Sequence, residues 1–307
     1  MDEKKYAIGI DIGGTNTVIG LVDYDGELLE KRRLNTKDYE SVNDFVTAIC
    51  NKIRPLIEAY GKETINGIGV GAPNANVHTG SIDRAANLPW HEHIPLRQML
   101  IDELSLHTIV TNDANAATYG EMKFGVAKDL KDFVMITLGT GVGSGIVANG
   151  QLIYGHDGMA GELGHIIVKP GGRACGCGRS GCLETYVSAT GVMTTVRQFA
   201  ASRNLEPYLN TRVLLAAAQQ QQPLALEVIE YTAEILGLFL ANTLAFTSPE
   251  AIVFFGGLSN LGNILLTPTH KYMNDNKLFV YNNQVPFLIS SLQQKNAGIL
   301  GAAALVF

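Results

Sequence analysis

Hydrophobic and polar positions recur in the same order in two parts of the chain. Residues 6–34 and 133–154 each hold three apolar, β-rich runs, with a glycine-threonine turn between the first two. An Asx-Gly pair, Asp25-Gly26 or Asn149-Gly150, separates the second run from the third, and such pairs between apolar runs are strong hairpin signals. The pattern therefore predicts two copies of a three-stranded meander, each opening with a glycine-rich hairpin.

Other segments predict helices that alternate with buried strands. Phe45, Ile49 and Ile53 share one helical face and predict a helix over residues 41–60. The stretch 74–95 is rich in Asn, Pro and Gly and is predicted to be a loop. Further predicted elements are buried strands at 65–73, 107–113 and 250–257, and helices at 95–104, 114–124 and 296–307. Strands that alternate with helices indicate an α/β fold.

Length, net charge and the apolar stretches argue against several classes of protein. A length of 307 residues is typical of two domains, and a net charge of −6 without runs of like charge argues against a nucleic-acid or membrane partner. The start of the chain lacks the pattern of a signal peptide. The apolar stretch 233–246 is too short to span a bilayer and carries Glu234 and Asn242. We therefore expect a cytoplasmic protein in which this stretch is a buried helix.

Three of the four cysteines lie close together in the sequence. His165, Cys175, Cys177 and Cys182 have the spacing H-x9-C-x-C-x4-C, which suits a tetrahedral Zn²⁺ site with four protein ligands. Incidental loop cysteines or a redox pair are the alternatives, but clustered cysteines in a reducing compartment more often bind metal. A closed ligand shell predicts a structural metal that fixes the loop. Cys50 lies in an apolar helical stretch and is expected in the core.

Glycine-rich turns follow three of the predicted strands. Glycines let backbone N–H groups approach phosphate oxygens, and threonine adds a hydroxyl donor. Asp11, just before the first turn, is placed to hold Mg²⁺ through oxygen ligands. The candidate nucleotide-binding residues of the turns are Gly13, Gly14, Thr15, Gly139, Thr140, Gly141, Gly143, Gly256 and Gly257.

The three turns differ in how strongly they indicate a nucleotide. An ordinary hairpin explains the first turn alone equally well, but two matching turns in two repeats favour phosphate binding. The glycine pair Gly256-Gly257 is either a bare surface for an adenosine or an ordinary strand-to-helix turn.

Polar residues at further predicted element ends complete the candidate site. Asp113 follows a predicted strand, where it is either a helix N-cap or a general base that accepts a hydroxyl proton. The residues that flank the cysteine loop or accompany Asp113 form a polar set suited to neutral hydroxyl groups; these are Asn87, Asn112, Glu162, His165 and Glu184. A surface salt-bridge cluster is the alternative for the acids and the imidazole.

Taken together, the motifs resemble the ROK family (repressors, open reading frames and sugar kinases) of the actin-like ATPase superfamily. The resemblance covers nearly the whole chain and rests on the stretches GIDIGGTNT, GAPNANVHTGSIDRAANLPW, TNDANAA, LGTGVGSG, GELGH, CGCGRSGCLE and FFGG. Asn16 stands where many members have lysine, and Asn74 where many have glycine.

The resemblance implies a duplicated α/β fold of the actin-like ATPase (ribonuclease H-like) type, with two lobes and a central cleft. The expected lobes are residues 1–112 plus 294–307 and residues 113–293, the second carrying the zinc loop. Asp113 is implied as catalytic base, and Asn87, Asn112, Glu162, His165 and Glu184 as hexose ligands together with Asp113. The glycine turns, with Asp11 and Asn16, are implied to bind MgATP, and the His165–cysteine set to hold zinc.

The implied function is an ATP-dependent kinase of a hexose 6-hydroxyl, with glucose favoured. Fructose, mannose and N-acetylated hexosamines are the alternative substrates. A sugar-responsive repressor is less expected, because the first glycine hairpin begins within ten residues of Met1 and leaves no room for a helix-turn-helix region. A non-catalytic sugar sensor is disfavoured by Asp113 and the two glycine turns. A homodimer is the expected assembly.

Overall fold

The computed structural model describes residues 5–85, 87–293 and 295–307. The strands are β1 (Tyr6–Ile12), β2 (Asn16–Asp23), β3 (Leu28–Asn35), β4 (Ile65–Gly71), β5 (Ala75–Asn76), β6 (Ser81–Asp83), β7 (His93–Ile94), β8 (Thr108–Thr111), β9 (Phe133–Leu138), β10 (Val142–Ala148), β11 (Gln151–Leu152), β12 (Ala251–Phe255) and β13 (Phe287–Ile289). The helices are α1 (Val42–Tyr60), α2 (Leu96–Leu104), α3 (Asp113–Phe124), α4 (Glu184–Val187), α5 (Ala189–Ala201), α6 (Thr211–Gln219), α7 (Pro223–Thr247), α8 (Asn263–Asn276) and α9 (Ala297–Ala304).

Two five-stranded sheets share one topology. The first has the order β3-β2-β1-β4-β8 and the second has the order β11-β10-β9-β12-β13. In each sheet, the three strands that come first in the sequence form an antiparallel meander. The other two strands of the sheet run parallel to the first strand of the meander. The predicted pair of meanders is therefore confirmed, although β11 has only two residues.

Contacts between residues divide the described chain into two compact units. The first unit comprises residues up to 129, 154–160 and 291–307, and the second comprises 130–153 and 161–290. This boundary differs from the one expected after residue 112, because α3 packs against α9 of the first unit. The expected return point, Gln294, lies outside the described residues.

The core of the first unit is closed by the last helix of the chain. The apolar helix predicted at residues 296–307 is present as α9, and it packs against β1 and β4. Its backbone approaches the sheet closely, because a Cβ at Gly69 of β4 would collide with the carbonyl oxygen of Ala302. On the other face, α1 buries the predicted residues Phe45, Ile49 and Ile53 together with Cys50.

The segment 74–95, predicted to be a loop, contains a small antiparallel sheet of β5, β6 and β7. Asn74 has φ of 52°, in the left-handed region that Asn tolerates better than most residues and glycine tolerates best. This backbone requirement explains why Asn can occupy a position at which many members of the resembled family have glycine. Trp90 is buried and lies against Phe45, with ring centroids 4.7 Å apart.

The second unit is built around the long helix α7, which packs against α8 and α5. The stretch 233–246 is helical and mostly buried, as predicted, although Leu238 and Phe246 are exposed. Among the described residues, none of the helices has the length and apolar character needed to cross a bilayer.

Candidate active site

In the first unit, the β1–β2 turn holds the first set of predicted nucleotide-binding residues. The N–H of Gly13 donates to the carbonyl of Asn16 at 2.9 Å, and the Thr36 hydroxyl donates to the carbonyl of Gly13 at 2.8 Å. These bonds fix the turn at both ends. Asn16 is the first residue of β2, and its side-chain oxygen accepts from Nε of Arg33 at 3.1 Å.

The same turn lies against the segment that carries the predicted hexose ligand Asn87. A Cβ at Gly14 would collide with the carbonyl oxygen of Asn87, so the two backbones are in direct contact. The exposed Asn87 is thereby held at the edge of the glycine turn. Within this unit, the structure brings a candidate phosphate site and a candidate hexose residue together.

Asp113 begins helix α3 directly after strand β8. The helix is capped by Asn112, whose side-chain oxygen accepts from the N–H of Asn115 at 2.7 Å. Asp113 is thus the first helical residue and not the N-cap, which removes the structural alternative considered for it. Its Oδ1 accepts from the N–H of Ala114 at 2.8 Å, and the helix N-terminus favours its ionised form.

Two carboxylates of the first unit, Asp11 and Asp113, both have raised pKa values. Burial raises the pKa of Asp11 to about 6, and the negative charge of Asp113 adds to the shift. Solvent reaches the Asp113 side chain, yet desolvation by the surrounding protein raises its pKa too, against the opposing backbone hydrogen bond from Ala114. A pair of like charges beside a glycine turn is a suitable place for a divalent cation.

The raised pKa of Asp11 gives a testable dependence of stability on pH. The folded-state pKa of about 6 exceeds the ordinary 3.8, so ionisation costs the native state stability above pH 6, and this cost disappears below pH 3.8. We expect Asp11→Asn to raise the free energy of unfolding by roughly 1–2 kcal/mol at pH 7.5. Urea unfolding at pH 7.5 and pH 4 measures the difference.

At pH 4 the gain should shrink towards zero. Asp102→Asn, which changes an exposed carboxylate on α2, serves as the matched control. An equal gain at both pH values would contradict the assignment.

In the second unit, the β9–β10 turn is held by side chains from several elements. The N–H of Gly143 donates to the Thr137 hydroxyl at 2.9 Å, and the N–H of Gly139 donates to the carbonyl of Gly141 at 3.0 Å. The hydroxyl of Thr190 on α5 donates to the carbonyl of Thr140 at 3.0 Å. The turn is therefore fixed in shape while Thr140 remains exposed.

Glu184, predicted as a hexose ligand, lies between the glycine turn and the cysteine loop. Its Oε2 accepts from the N–H of Val142 at 3.0 Å, and its carboxylate occupies the space that a Cβ at Gly141 would need. Its Oε1 lies 3.7 Å from Sγ of Cys175. One carboxylate thus ties the second glycine turn to the predicted metal site.

Glu162 and His165 bound a short 3₁₀ turn. Glu162 is its N-cap, and the N–H of Leu163 donates to the Ser144 hydroxyl at 3.1 Å, while Ser144 in turn donates to the carbonyl of Gly161. Strand β10 therefore positions this turn. Glu162 itself is exposed.

The four predicted metal ligands come together. Their donor atoms on His165, Cys175, Cys177 and Cys182 all lie within 4.8 Å of one another. Sγ of Cys175 is 3.6 Å from Nδ1 of His165, and the Sγ atoms of Cys177 and Cys182 are 3.6 Å apart. Sulfur ligands on a tetrahedral zinc are separated by about 3.8 Å, so these residues fit the ion. Because Nδ1 faces the cysteines, Nε2 of His165 is left for a second partner.

The third glycine turn opens onto a pocket. Gly256 has φ of 103°, a conformation suited to glycine, and a Cβ at Gly257 would meet open space. The pocket has a volume of about 560 Å³. It is lined by Asn210, Thr211, Arg212, Leu215, Gly257, Leu258, Asn260 and Leu261.

The match to known proteins extends along almost the whole chain. The sequence pattern of the ROK family matches residues 7–307. The chain belongs to the ROK family. Its repeated sheets also confirm the duplicated actin-like ATPase type of fold, which the solved structures of ROK sugar kinases share.

Three similar proteins extend the comparison. A glucokinase from Halalkalibacterium halodurans is 36% identical, over 100% of this chain and 96% of the relative. A glucokinase from Thermotoga maritima is 33% identical, over 99% of this chain and 98% of the relative. The crystal structure of a ROK family glucokinase from Streptomyces griseus in complex with glucose and AMPPNP superposes with a TM-score of 0.79 at 31% identity, covering 98% of both chains.

The predicted ROK site residues divide between the two units. The first unit holds Asp11, Gly13, Gly14, Thr15, Asn16, Asn87, Asn112 and Asp113, and the second holds the other predicted residues. Sequence reasoning missed the pocket residues Asn210, Thr211 and Arg212. Asn210 caps α6, so the sequence signals a helix start there, but no local pattern places that helix end beside Gly257.

Proposed function

We propose that this protein is an ATP-dependent glucose kinase that phosphorylates the 6-hydroxyl of the sugar. The observation that carries the proposal is the placement of the Asp11 and Asp113 carboxylates in one unit with the Gly13–Thr15 turn and Asn87. The glucokinases named above, two of them at least 33% identical over nearly the full chain, support glucose as the acceptor.

In the proposed reaction, the oxygen of the 6-hydroxyl attacks the γ-phosphorus of ATP. The bond from that phosphorus to the β–γ bridging oxygen breaks, and ADP leaves with the electron pair. Asp113 orients the hydroxyl and accepts its proton, which later passes to solvent. Because phosphoryl transfer has a loose transition state, positioning and charge neutralisation carry most of the catalysis.

The two glycine turns are proposed to hold the phosphates. In the second turn, the N–H groups of Gly139 and Gly143 are bonded within the protein, which points to Thr140 and Gly141 as the phosphate donors there. Mg²⁺ bound with ATP would neutralise phosphate charge, and Asp11 would hold it, through water or directly.

The pocket beside Gly257 is proposed to receive the adenosine. Its volume of about 560 Å³ accommodates a nucleoside. Arg212 is exposed and Asn210 caps the helix that forms one wall. Gly257 contributes bare backbone to the lining, in agreement with the interpretation of the FFGG motif as a nucleotide contact.

The hexose is proposed to be bound by Asn87, Asn112, Glu162, His165 and Glu184. Asn112 uses its side-chain oxygen to cap α3, so its amide NH₂ group is proposed as its donor to the sugar. Glu184 is bonded to Val142 through one oxygen, which favours the other oxygen for any sugar contact. Sites that hydrogen-bond individual hydroxyls discriminate strongly between sugars.

The deciding experiment is a coupled assay of ADP release with MgATP and a panel of sugars. Glucose, mannose, fructose and N-acetylated hexosamines should be compared under equal conditions. We expect glucose to give the highest kcat/KM, and phosphorus NMR to identify the product as a 6-phosphate. Absence of hexose-dependent ADP release with the whole panel would refute the kinase proposal.

We also propose that Cys175, Cys177, Cys182 and Nδ1 of His165 hold a structural Zn²⁺. The ion would supply a fixed tetrahedral junction for the loop that carries His165 and Glu184. Hydrogen bonding from Arg179 lowers the pKa of Cys177 to about 6, so this ligand is available as a thiolate at neutral pH, whereas burial raises the pKa of Cys175 and of Cys182. A reducing cytoplasm, as expected from the sequence, keeps such thiols free to bind metal.

A homodimer is proposed on the second unit. A groove of about 490 Å³ is lined by residues 166–169 and by α7. Among its lining residues, Ile166, Ile167, Leu238 and Phe246 are exposed apolar side chains. Contiguous exposed apolar surface marks interaction sites, and a two-fold dimer is the commonest assembly of soluble homo-oligomers.

Replacing the most exposed of these residues should dissociate the dimer. Phe246 is 60% exposed, and we expect Phe246→Asp to shift the mass measured by light scattering from dimer to monomer, because a charge would be buried at the interface. Leu209→Asp alters an exposed leucine of the same unit outside the groove and should leave the mass unchanged. A monomeric wild-type protein at micromolar concentration would contradict the proposal.

A further inference from the structure

Residues Tyr154–Ala160, here named the strap, belong to the first unit although the residues on both sides of them belong to the second. The chain leaves the second unit after β11, makes this excursion, and returns at Gly161. The proposed reaction assigns no role to the strap, but the contacts that the strap makes within the first unit indicate a role.

The first end of the strap lies beside strand β8, which directly precedes Asn112 and Asp113. Burial raises the pKa of the Tyr154 phenol, and the side chains of Tyr119 and Thr111 lie close enough to affect that pKa. Thr111 is the last residue of β8 and directly precedes Asn112 and Asp113. The hydroxyl of Thr111 also accepts from Nδ2 of Asn115 at 3.4 Å. Tyr154 thus lies beside both the strand and the helix that meet at Asp113.

The middle of the strap is bound to the turn between β5 and β6. Nδ2 of Asn76 donates to the carbonyl of Asp157 at 2.6 Å, and Nε2 of His78 lies 3.1 Å from the carbonyl oxygen of Gly155. Gly158, with φ of 81°, sits so close to the Asn76 amide that a Cβ there would collide with it. The strap therefore fits this turn closely.

The β5–β6 turn is itself firmly held. The guanidinium of Arg97 on α2 donates to the carbonyls of Val77, His78 and Thr79 at 3.0–3.3 Å. The side-chain oxygen of Asn76 accepts from the N–H groups of His78 and Thr79. The strap is consequently tied to a rigid part of the segment 74–95, which also carries Asn87.

We propose that the strap is a positioning element for the hexose, with Asn76 and Tyr154 as its positioning residues. The strap lies between the segment that contains Asn87 and the end of β8, where Asn112 and Asp113 follow. In the sequence, Glu162 comes two positions after Ala160, the last residue of the strap. Three proposed hexose ligands are thus linked to one seven-residue element. This inference rests on the proposed hexose kinase function and deepens it, since it identifies what sets affinity and selectivity for the sugar.

The sharpest variant is Asn76→Asp. Aspartate keeps the oxygen that accepts from His78 and Thr79, but it lacks the NH₂ group that donates to Asp157. The β5–β6 turn should therefore survive while the strap loses its anchor. We expect the KM for glucose to rise about tenfold, with the KM for ATP within twofold of wild type. The preference for glucose over mannose should fall, because the sugar ligands are less well fixed.

A second variant tests the other end of the strap, at Tyr154. A control variant tests whether an amide-to-acid change alone affects the kinetics. Tyr154→Phe removes only the hydroxyl that lies beside Thr111 and Tyr119, and it should likewise raise the KM for glucose. Asn51→Asp makes the same amide-to-acid change at an exposed position of α1 and should alter neither KM. A merely structural role of the strap would instead lower the melting temperature and change both KM values together.

Glucose affinity can also be measured without turnover. Trp90 is the single tryptophan of the chain and lies in the segment 74–95, so we expect its fluorescence to change when glucose binds in the absence of ATP. The dissociation constant should weaken in both strap variants by the same factor as the KM.

The outcomes separate the two proposals. A wild-type protein without hexose-dependent ADP release would refute the kinase function. An active wild type, with both strap variants folded by circular dichroism and within twofold of its glucose KM and dissociation constant, would overturn the role of the strap alone.

Discussion

Asp113→Asn is expected to lower kcat for glucose phosphorylation by at least 100-fold while leaving the protein folded. Loss of a general base typically costs about 10²- to 10⁴-fold in rate. The substitution keeps the side-chain shape, and the amide oxygen can still accept the hydrogen bond that Ala114 donates to Oδ1. The capping bond of α3 is made by Asn112 and is not altered. Steady-state ADP release measures the loss.

Glucose binding should survive this change. Trp90 fluorescence should report a dissociation constant within about threefold of wild type, since Asn can still hydrogen-bond a hydroxyl. The control Asp102→Asn, at an exposed position of α2, should retain full kcat. Turnover of Asp113→Asn within tenfold of wild type would exclude Asp113 as the base, and an unfolded variant would be replaced by Asp113→Glu, which keeps the charge but displaces it.

Loss of the metal site is expected to have the second largest effect. The wild-type protein should hold one equivalent of zinc, and Cys177→Ser should hold far less. Cys177 is exposed, in contrast to the fully buried Cys182, so its replacement removes a ligand without opening a cavity in the core. Because the loop positions His165 and Glu184, we expect kcat/KM for glucose to fall at least tenfold.

The measurements are metal content by atomic emission, thermal unfolding, and sugar kinetics. Cys50→Ala removes the remaining cysteine, which lies in the core of the first unit, and should keep one equivalent of zinc. Thermal stability of Cys177→Ser should decrease, and a chelator should reproduce this in the wild type. A wild-type protein purified without chelators and free of zinc would contradict the metal proposal.

Features encoded in short stretches of sequence were the predictable ones. The two meanders follow from apolar runs separated by Asx-Gly pairs, and the structure confirms them as matching sheets. The convergence of His165 with its three cysteines follows from their spacing, since the ligands lie within one loop. Helix α1 begins after Ser41 and ends before Gly61, close to the predicted range 41–60.

Features that depend on contacts between distant residues were not predictable. The unit boundary falls after residue 129 because α3 packs against α9, and the sequence between them contains no signal of that contact. The attachment of the strap depends on Asn76 meeting Asp157, 81 positions away. The wall that Arg212 adds to the pocket beside Gly257 is likewise a product of tertiary packing.

The position of α9 has a consequence for how the chain folds during synthesis. Strands β1 and β4 leave the ribosome early, but the helix that covers them is translated after the whole of the second unit. During this interval, the apolar face of the first sheet that α9 later covers remains exposed. The second unit, in contrast, can fold as soon as its own last strand emerges. Such an interval exposes the growing polypeptide to aggregation and makes it a natural client for chaperones.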